Sequence, residues 1–318
     1  GESGQPLPRA LWSPIWLALE HSLVMTGGLL RFGHDYLRKA VENRYLYNEE
    51  LKRGARRWLA VFFMNRELSH RKAVELPWQL AKIQKWDKLF ELLSAPDFVR
   101  AAWEADNNDV FRYWSLVEGN SVFRMGDAYA GLILDPAAAQ ENYHWLHALL
   151  FGTGNLEAAS QLNDTLISGA FEGDSGPEEE VTWLNNQGSI LGRLGNLERA
   201  LHLLKEAEGI ARKEGDTEGL RTALGNQSGI LAMRGDLEES LSMNREVARL
   251  CRESGDKHGL QVALDNQAVH LIQRGELEAA QALLKEAERL CRELGNKDGL
   301  QAGLGLQALA LRKRGDLA

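Results

Sequence analysis

The sequence predicts a mainly α protein whose second half is a right-handed solenoid of antiparallel helix pairs. Three observations predict it. Segments of one phrasing return every forty residues, as "LNNQGSILGRLGNLERA", "LGNQSGILAMRGDLEES" and, at 264–280, "LDNQAVHLIQRGELEAA". Within each, apolar residues keep a helical spacing and run up to a glycine that can adopt the left-handed conformation. Two helices of about 18 residues with two short turns fill forty residues. Neither helix can bury its apolar stripe alone, so the units must stack.

The repeat columns hold without a gap. Gly195, Gly235, Gly275 and Gly315 share one column, and Leu197, Leu237, Leu277 and Leu317 another. Gly215, Gly255 and Gly295 form a third, and Leu220, Leu260 and Leu300 a fourth. An older unit precedes them, since "GTGNLEAA" at 152–159 matches "RLGNLERA" at 193–200 with a one-residue slip. After Gly235, Asp236 stands at an N-cap with Glu239 three residues on, the spacing of a capping box. Gly176-Pro177 followed by Glu178-Glu179-Glu180 reads as a loop entering a helix N-terminus, where acidic residues favour the dipole.

Composition divides the 318 residues near residue 150. Residues 1–150 carry 18 basic and 18 acidic side chains, and 151–318 carry 19 and 27, so the repeats hold the whole net charge of −8. That balance disfavours a nucleic-acid footprint on the repeats, because phosphate binding needs a basic face. The two cysteines, Cys251 and Cys291, occupy one repeat position forty residues apart. Equivalent positions on stacked helices lie about 8–10 Å apart, beyond disulfide reach of about 7 Å, so two free thiols and a reducing, cytoplasmic setting are expected. The apolar run "LWSPIWLALEHSLVM" is broken by Glu20 and His21 and reads as a buried helix, not a membrane span.

The repeat unit resembles the tetratricopeptide repeat (TPR) in its longer form, similar to kinesin light chains and LGN-type adaptors. The family's small residue in the first helix appears as Gly188, Ser228 and Ala268, and the alanine of the second helix as Ala200, Ser240 and Ala280. Leu204 and Leu284 hold the large apolar position, from which Asn244 departs. In that family the first helix of each pair lines the concave surface. Asn186, Asn226 and Asn266 stand mid-helix there, where asparagine is a poor helix former. The column resembles the asparagine ladder with which some TPR proteins grip the backbone of an extended peptide, an amide offering both donor and acceptor. Two other readings stay open: each Asn ties its helix to a neighbouring turn, or the column is copied from an ancestral unit. The resemblance implies a peptide-binding groove that also takes in Ser189, Arg193, Met233 and Gln273. Gln187, Gln227, Gln267 and Gln307 point about 100° away and are expected to serve inter-helix packing or an exposed edge. The chain ends on "KRGDLA", where a second helix should begin, so a longer array is expected, with Leu304 and Leu311 facing an absent partner.

In the first 150 residues, Ser13-Pro14 starts a helix. Apolar runs on either side of Gly27-Gly28 predict a β-hairpin, and Asp35 caps the helix "YLRKAVENRYL". Further helices are expected at about 49–68, 70–84 (bent at Pro77), 86–94, 97–105 and 109–118. "GGLLRFGHDYLRKAVENRYL" and "ELPWQLAKIQKWDKLFELLSAPDFV" resemble the segment that follows the nucleotide-binding core of NACHT-type STAND ATPases. The resemblance implies a partial winged-helix-like segment over 1–48, a helical connector over 49–140 and a TPR array of about four repeats over 141–318, the last truncated. It also implies an ATPase domain upstream in the same polypeptide.

Chemistry is not legible. No GxxxxGK[ST] occurs, so no triphosphate cradle is present. His144 and His147 lack a partner at metal spacing, and no nucleophile–base constellation stands out. The expectation is a non-catalytic chain with no cofactor or metal, acting as the ligand-sensing arm of a STAND signalling ATPase through a protein or peptide in the groove. The rivals are a stand-alone TPR adaptor and, on the wing and the basic stretch "LKRGARRW" at 51–58, a DNA-binding regulator.

Overall fold

The computed structural model describes residues 23–26, 29–32, 35–170 and 176–315. The helix expected from Ser13-Pro14 and the position of Leu317 lie outside the described residues. The chain separates into two compact units, 1–129 and 130–318.

In the first unit, β1 (Leu23–Thr26) pairs antiparallel with β2 (Leu29–Phe32), Thr26 opposite Leu29 and Leu23 opposite Phe32. Two residues separate the strands, which is the hairpin the Gly-Gly pair predicts. Helices follow as α1 (Asp35–Tyr45), α2 (Glu49–Met64), α3 (His70–Lys82), α4 (Trp86–Leu93), α5 (Pro96–Ala105), α6 (Asn107–Asn120) and α7 (Met125–Leu134), within which the boundary falls. Their starts have local causes. Asn48 accepts the Leu51 N–H at 2.8 Å, Ser69 accepts the Lys72 N–H, and Pro96 opens α5, where its missing N–H costs nothing. The core centres on Trp114, whose indole N–H donates to the Tyr129 hydroxyl at 3.1 Å. Tyr129 in turn donates to the Leu93 carbonyl at 2.7 Å, so both polar tips are paired inside the apolar packing. The basic stretch 51–58 lies on α2, where Arg56 stacks over Trp78 and Lys52 pairs with Glu49.

The second unit is a row of antiparallel helices: α8 (Pro136–Thr153), α9 (Leu156–Ala170), α10 (Pro177–Arg193), α11 (Leu197–Glu214), α12 (Thr217–Arg234), α13 (Leu237–Ser254), α14 (Lys257–Arg274), α15 (Leu277–Leu294) and α16 (Lys297–Arg314). From α11 onward every helix has 18 residues. Each packs on the next, and apolar clusters run without a break from pair to pair, as in the one holding Val181, Leu224, Val247, Leu264 and Leu290. This is a TPR-like solenoid of stacked helix pairs.

Two different turns alternate. The glycines at 195, 235, 275 and 315 all have positive φ, as do 215, 255 and 295. After Gly235 and Gly295 the next residue closes the helix end: the Asp236 N–H reaches the Leu231 carbonyl and Asn296 the Cys291 carbonyl, both at 2.9 Å. At the turn between pairs, Asp216, Asp256 and Asn296 cap the next helix by accepting the N–H of Gly219, Gly259 and Gly299. A Cβ at Gly219 would lie 2.1 Å from the Asp216 carboxylate, so this cap needs glycine at the third helical position. The other turn corrects the expected capping box. Asp236 occupies the N-cap position but accepts no helix N–H, because the Arg234 guanidinium takes its carboxylate. At Glu178–Glu180 the expectation stands: all three lie in the first turn of α10.

Cys251 and Cys291 are free and buried, and burial pushes both thiols up. No described helix is long and apolar enough to cross a membrane.

Two glycine substitutions should move stability in opposite directions. Gly235→Ala forces a left-handed alanine (φ 96°) and should lower unfolding free energy by about 1 kcal/mol. Gly209→Ala lies within α11 with open space around the new methyl and should raise it by about 0.5–1 kcal/mol. Urea denaturation of the two variants checks both signs.

Candidate functional site: the inner face of the solenoid

The first helices of neighbouring pairs touch, α10 against α12 and α14 against α16, which puts them on the inner side of the curve. What holds each one in register is the glutamine column. Gln227 donates to the Leu204 carbonyl (3.3 Å), Gln267 to the Asn244 carbonyl (3.1 Å) and Gln307 to the Leu284 carbonyl (3.4 Å), each 23 residues back in the preceding second helix. Gln227 and Gln307 also reach Glu208 and Glu288, at 2.7 and 2.8 Å. Gln187 instead donates to the Ser160 hydroxyl at 2.9 Å. These side chains serve inter-helix packing: a buried amide N–H left without such a partner would cost about 1–3 kcal/mol.

The asparagines one residue earlier are more open, and they are not equivalent. Asn186 is half-buried, and its amide donates to the Tyr143 hydroxyl at 2.6 Å. Asn226 is half-buried and makes a long contact to the Asn185 carbonyl, 3.4 Å. Asn266 is exposed and lines a recess of about 180 Å³ between α12 and α14. Asn186 lines a second recess, about 370 Å³, with Glu178, Asp216 and Glu218 at its rim. No described asparagine of the column is sunk into the apolar interior. Of the other expected groove residues, Met233 and Gln273 are exposed on α12 and α14 and Ser189 is half-buried on α10. Arg193 is exposed, with its guanidinium 4.5 Å above the Phe151 ring.

The end of the face nearest α8 is aromatic. Tyr143 is buried between partners, accepting from Asn186 and donating to Asn163 at 2.9 Å. His147 stacks on Phe151, and its Nε2 is buried without a partner. Burial pushes this imidazole down to about 4, because the charged form would lose its hydration. Sequence reasoning placed no weight on this cluster, since nothing in the forty-residue columns extends to it. It also missed the polar contacts of Ser228, Ser240 and His270, although the Asn244 departure marked their position. Among the described residues no group of three or more His, Cys, Asp or Glu side chains gathers into a metal-binding set.

Comparison with known proteins agrees with the repeat fold. The tetratricopeptide repeat sequence model matches residues 178–253. A TPR repeat-containing protein of Dictyostelium discoideum is 26% identical over 111 residues, 34% of this chain and only 7% of that protein's length. Among solved structures, the apo form of RapI superposes with a TM-score of 0.52 at 13% identity, over 78% of this chain and 72% of that one. A Rap protein complexed with competence and sporulation factor gives 0.51 at 12% identity, over 88% and 70%. A STAND protein with a tetratricopeptide repeat sensor from Pyrococcus horikoshii gives 0.51 at 17% identity, over 98% of this chain and 44% of that one. At these identities the structural likeness is one of fold, and the fold of the repeat region is tetratricopeptide-like.

The His147 environment sets a pH dependence. An imidazole held near 4 in the folded chain and near 6.5 when unfolded costs no stability above about pH 6.5. Between that value and 4 the unfolded state gains the proton first, so stability falls as pH falls. The melting temperature of the wild type should drop from pH 7 to pH 5 by more than that of His147→Gln; parallel curves would contradict the assignment.

Proposed function

We propose that the repeats form the recognition arm of a signalling protein and hold an extended polypeptide along their inner face. The observation that carries this reading is the state of the asparagine column. Asn266 offers an exposed amide and Asn226 an amide held only by a 3.4 Å contact, on adjacent inner helices one repeat apart. A peptide backbone presents donors and acceptors in turn, and an amide can meet both. Asn186 is the weaker rung, because one N–H of its amide is already given to Tyr143, which fixes the side chain and leaves one N–H and the carbonyl to be shared. A Rap protein of similar fold is complexed with competence and sporulation factor, which supports a peptide as guest.

The finer reading is the sensor arm of a STAND or NACHT-type ATPase. Its support is the likeness to the STAND protein over 98% of this chain, which takes in the first unit as well as the repeats. In this reading β1, β2 and α1 are the end of a winged-helix module, and the first unit packs on an upstream ATPase domain. Trp58 and Val61, exposed at 48% and 51% on α2, supply apolar surface for that packing. The arm then acts as a switch if its guest binds the open and closed states with different affinity. A stand-alone adaptor would use the same groove. A DNA-binding role has less to rest on, because the basic stretch of α2 spends Arg56 on Trp78 and Lys52 on Glu49.

Two tests separate these readings. Asn226→Ala combined with Asn266→Ala should abolish partner capture while changing unfolding free energy by no more than about 1 kcal/mol. A large stability loss with capture intact would make the column structural. The gene upstream of Gly1 should encode GxxxxGK[ST] within a few hundred codons; an initiation codon at that point would leave the adaptor.

A further inference from the structure

The seams between successive helix pairs are filled by four positions, and one seam differs from its neighbours. In the first, Gly188 is pressed against Leu204, where an added Cβ would lie 2.5 Å from Leu204 Cγ, and Ala200 and Ile230 complete the packing. In the third, the four are Ala268, Ala280, Leu284 and Ala310, all buried and apolar. The middle seam has Ser228, Ser240, Asn244 and His270, none more than 5% exposed. Asparagine in place of leucine puts polar atoms where the other seams have methyl groups, and a recess of about 180 Å³ lies between α12 and α14.

The hydrogen atoms in this seam can be assigned. Ser240 Oγ lies 2.8 Å from the Ser228 carbonyl, an atom that can only accept, so the Ser240 hydroxyl donates there. Pointed elsewhere, it would leave two oxygen lone pairs opposed at that distance. The Asn244 amide donates to Ser228 Oγ, and the Ser228 hydroxyl has two acceptors within reach, the Ser240 carbonyl at 3.2 Å and Ser240 Oγ at 2.9 Å. With its only proton spent, Ser240 Oγ must accept from His270 Nε2 at 2.9 Å. As the Nε2–H tautomer, His270 carries a lone pair on its other nitrogen, Nδ1. That atom is buried and has no partner. A buried acceptor left unpaired is costly, and His270 is one of the residues that wall this recess.

We infer that this recess is a specificity pocket of the groove and takes an asparagine or glutamine side chain of the bound peptide. The inference rests on the groove reading above and adds a side-chain preference to it. His270 Nδ1 calls for a donor. The recess is lined by Ser228, Asn244, Asn266 and His270 with small apolar neighbours and no charged group, so an ammonium guest would lose its hydration with no counter-ion. A hydroxyl brings a single proton and leaves the exposed Asn266 amide unanswered. A carboxamide donates to His270 Nδ1 and accepts from Asn266, meeting both. The volume suits one side chain, being below the range of small-molecule sites.

Short random peptides displayed on phage and selected on the full chain test this. The wild type should enrich peptides with Asn or Gln at one fixed register position, and replacing that residue with Ala should weaken binding by about tenfold. The variant S228A/S240A/N244L/H270A, which copies the four apolar residues of the third seam, should bind the same peptide about tenfold more weakly and be indifferent to the Ala replacement. If that variant fails to melt cooperatively, the Ala replacement in the peptide, measured on the wild type, decides alone. Selected peptides with no carboxamide at a fixed position, or equal binding of the peptide and its Ala version to the wild type, would overturn the pocket and leave the groove standing. Failure of the wild type to select any peptide would overturn both.

Discussion

An 18-residue helix with an apolar stripe cannot hide that stripe by itself, and every other feature of the repeat region follows from the stacking that this forces. Once the pairs are stacked, the first helices are left on the inside of the curve, touching one another. Their outward-facing positions become a continuous surface with no packing role. Register along the stack is then a matter of hydrogen bonds across the seams. The glutamine column supplies them, donating to a carbonyl 23 residues back in three successive repeats. With the glutamines so engaged, the neighbouring asparagines are left over for other work.

Most of the solenoid was legible in the sequence because its physics is local and repeated. The left-handed glycines at 195, 235, 275 and 315 mark helix ends that the backbone could not form as cheaply with any other residue. The glutamines were legible as packing residues from their angular offset alone. What was not legible depended on partners from outside the period. Asn186 and Asn226 look identical in the sequence, but Asn186 meets Tyr143, a residue of α8 that no column predicts. The Asp236 cap failed for a related reason: Arg234 lies close enough to compete for the carboxylate, and spacing rules do not weigh that competition. The glycine requirement behind the Asp216 cap, at Gly219, was overlooked although its column repeats at 259 and 299.

The middle seam shows how a repeat protein can acquire specificity without losing its fold. Its four polar side chains hydrogen-bond to one another and leave His270 Nδ1 buried without a partner, while the seams on either side keep the apolar solution. Asn244 was visible in the sequence as a break in pattern. Its meaning required the positions of Ser228, Ser240 and His270, which lie on three different helices. The aromatic cluster around Tyr143 and His147 makes the α8 end of the inner face chemically distinct from the Asn266 end. A guest lying along the face would therefore meet different surroundings at its two ends, and its direction would be set.

The central claim is that the inner face holds an extended chain. It is tested most directly with a photo-crosslinking residue placed in turn at Met233, exposed on the inner helix α12, and at Arg245, exposed on the second helix α13. With a peptide selected on the intact protein, the account predicts crosslinks from position 233 that unlabelled peptide competes away, and none from position 245. Crosslinking from 245 alone, or equally from both, would contradict it.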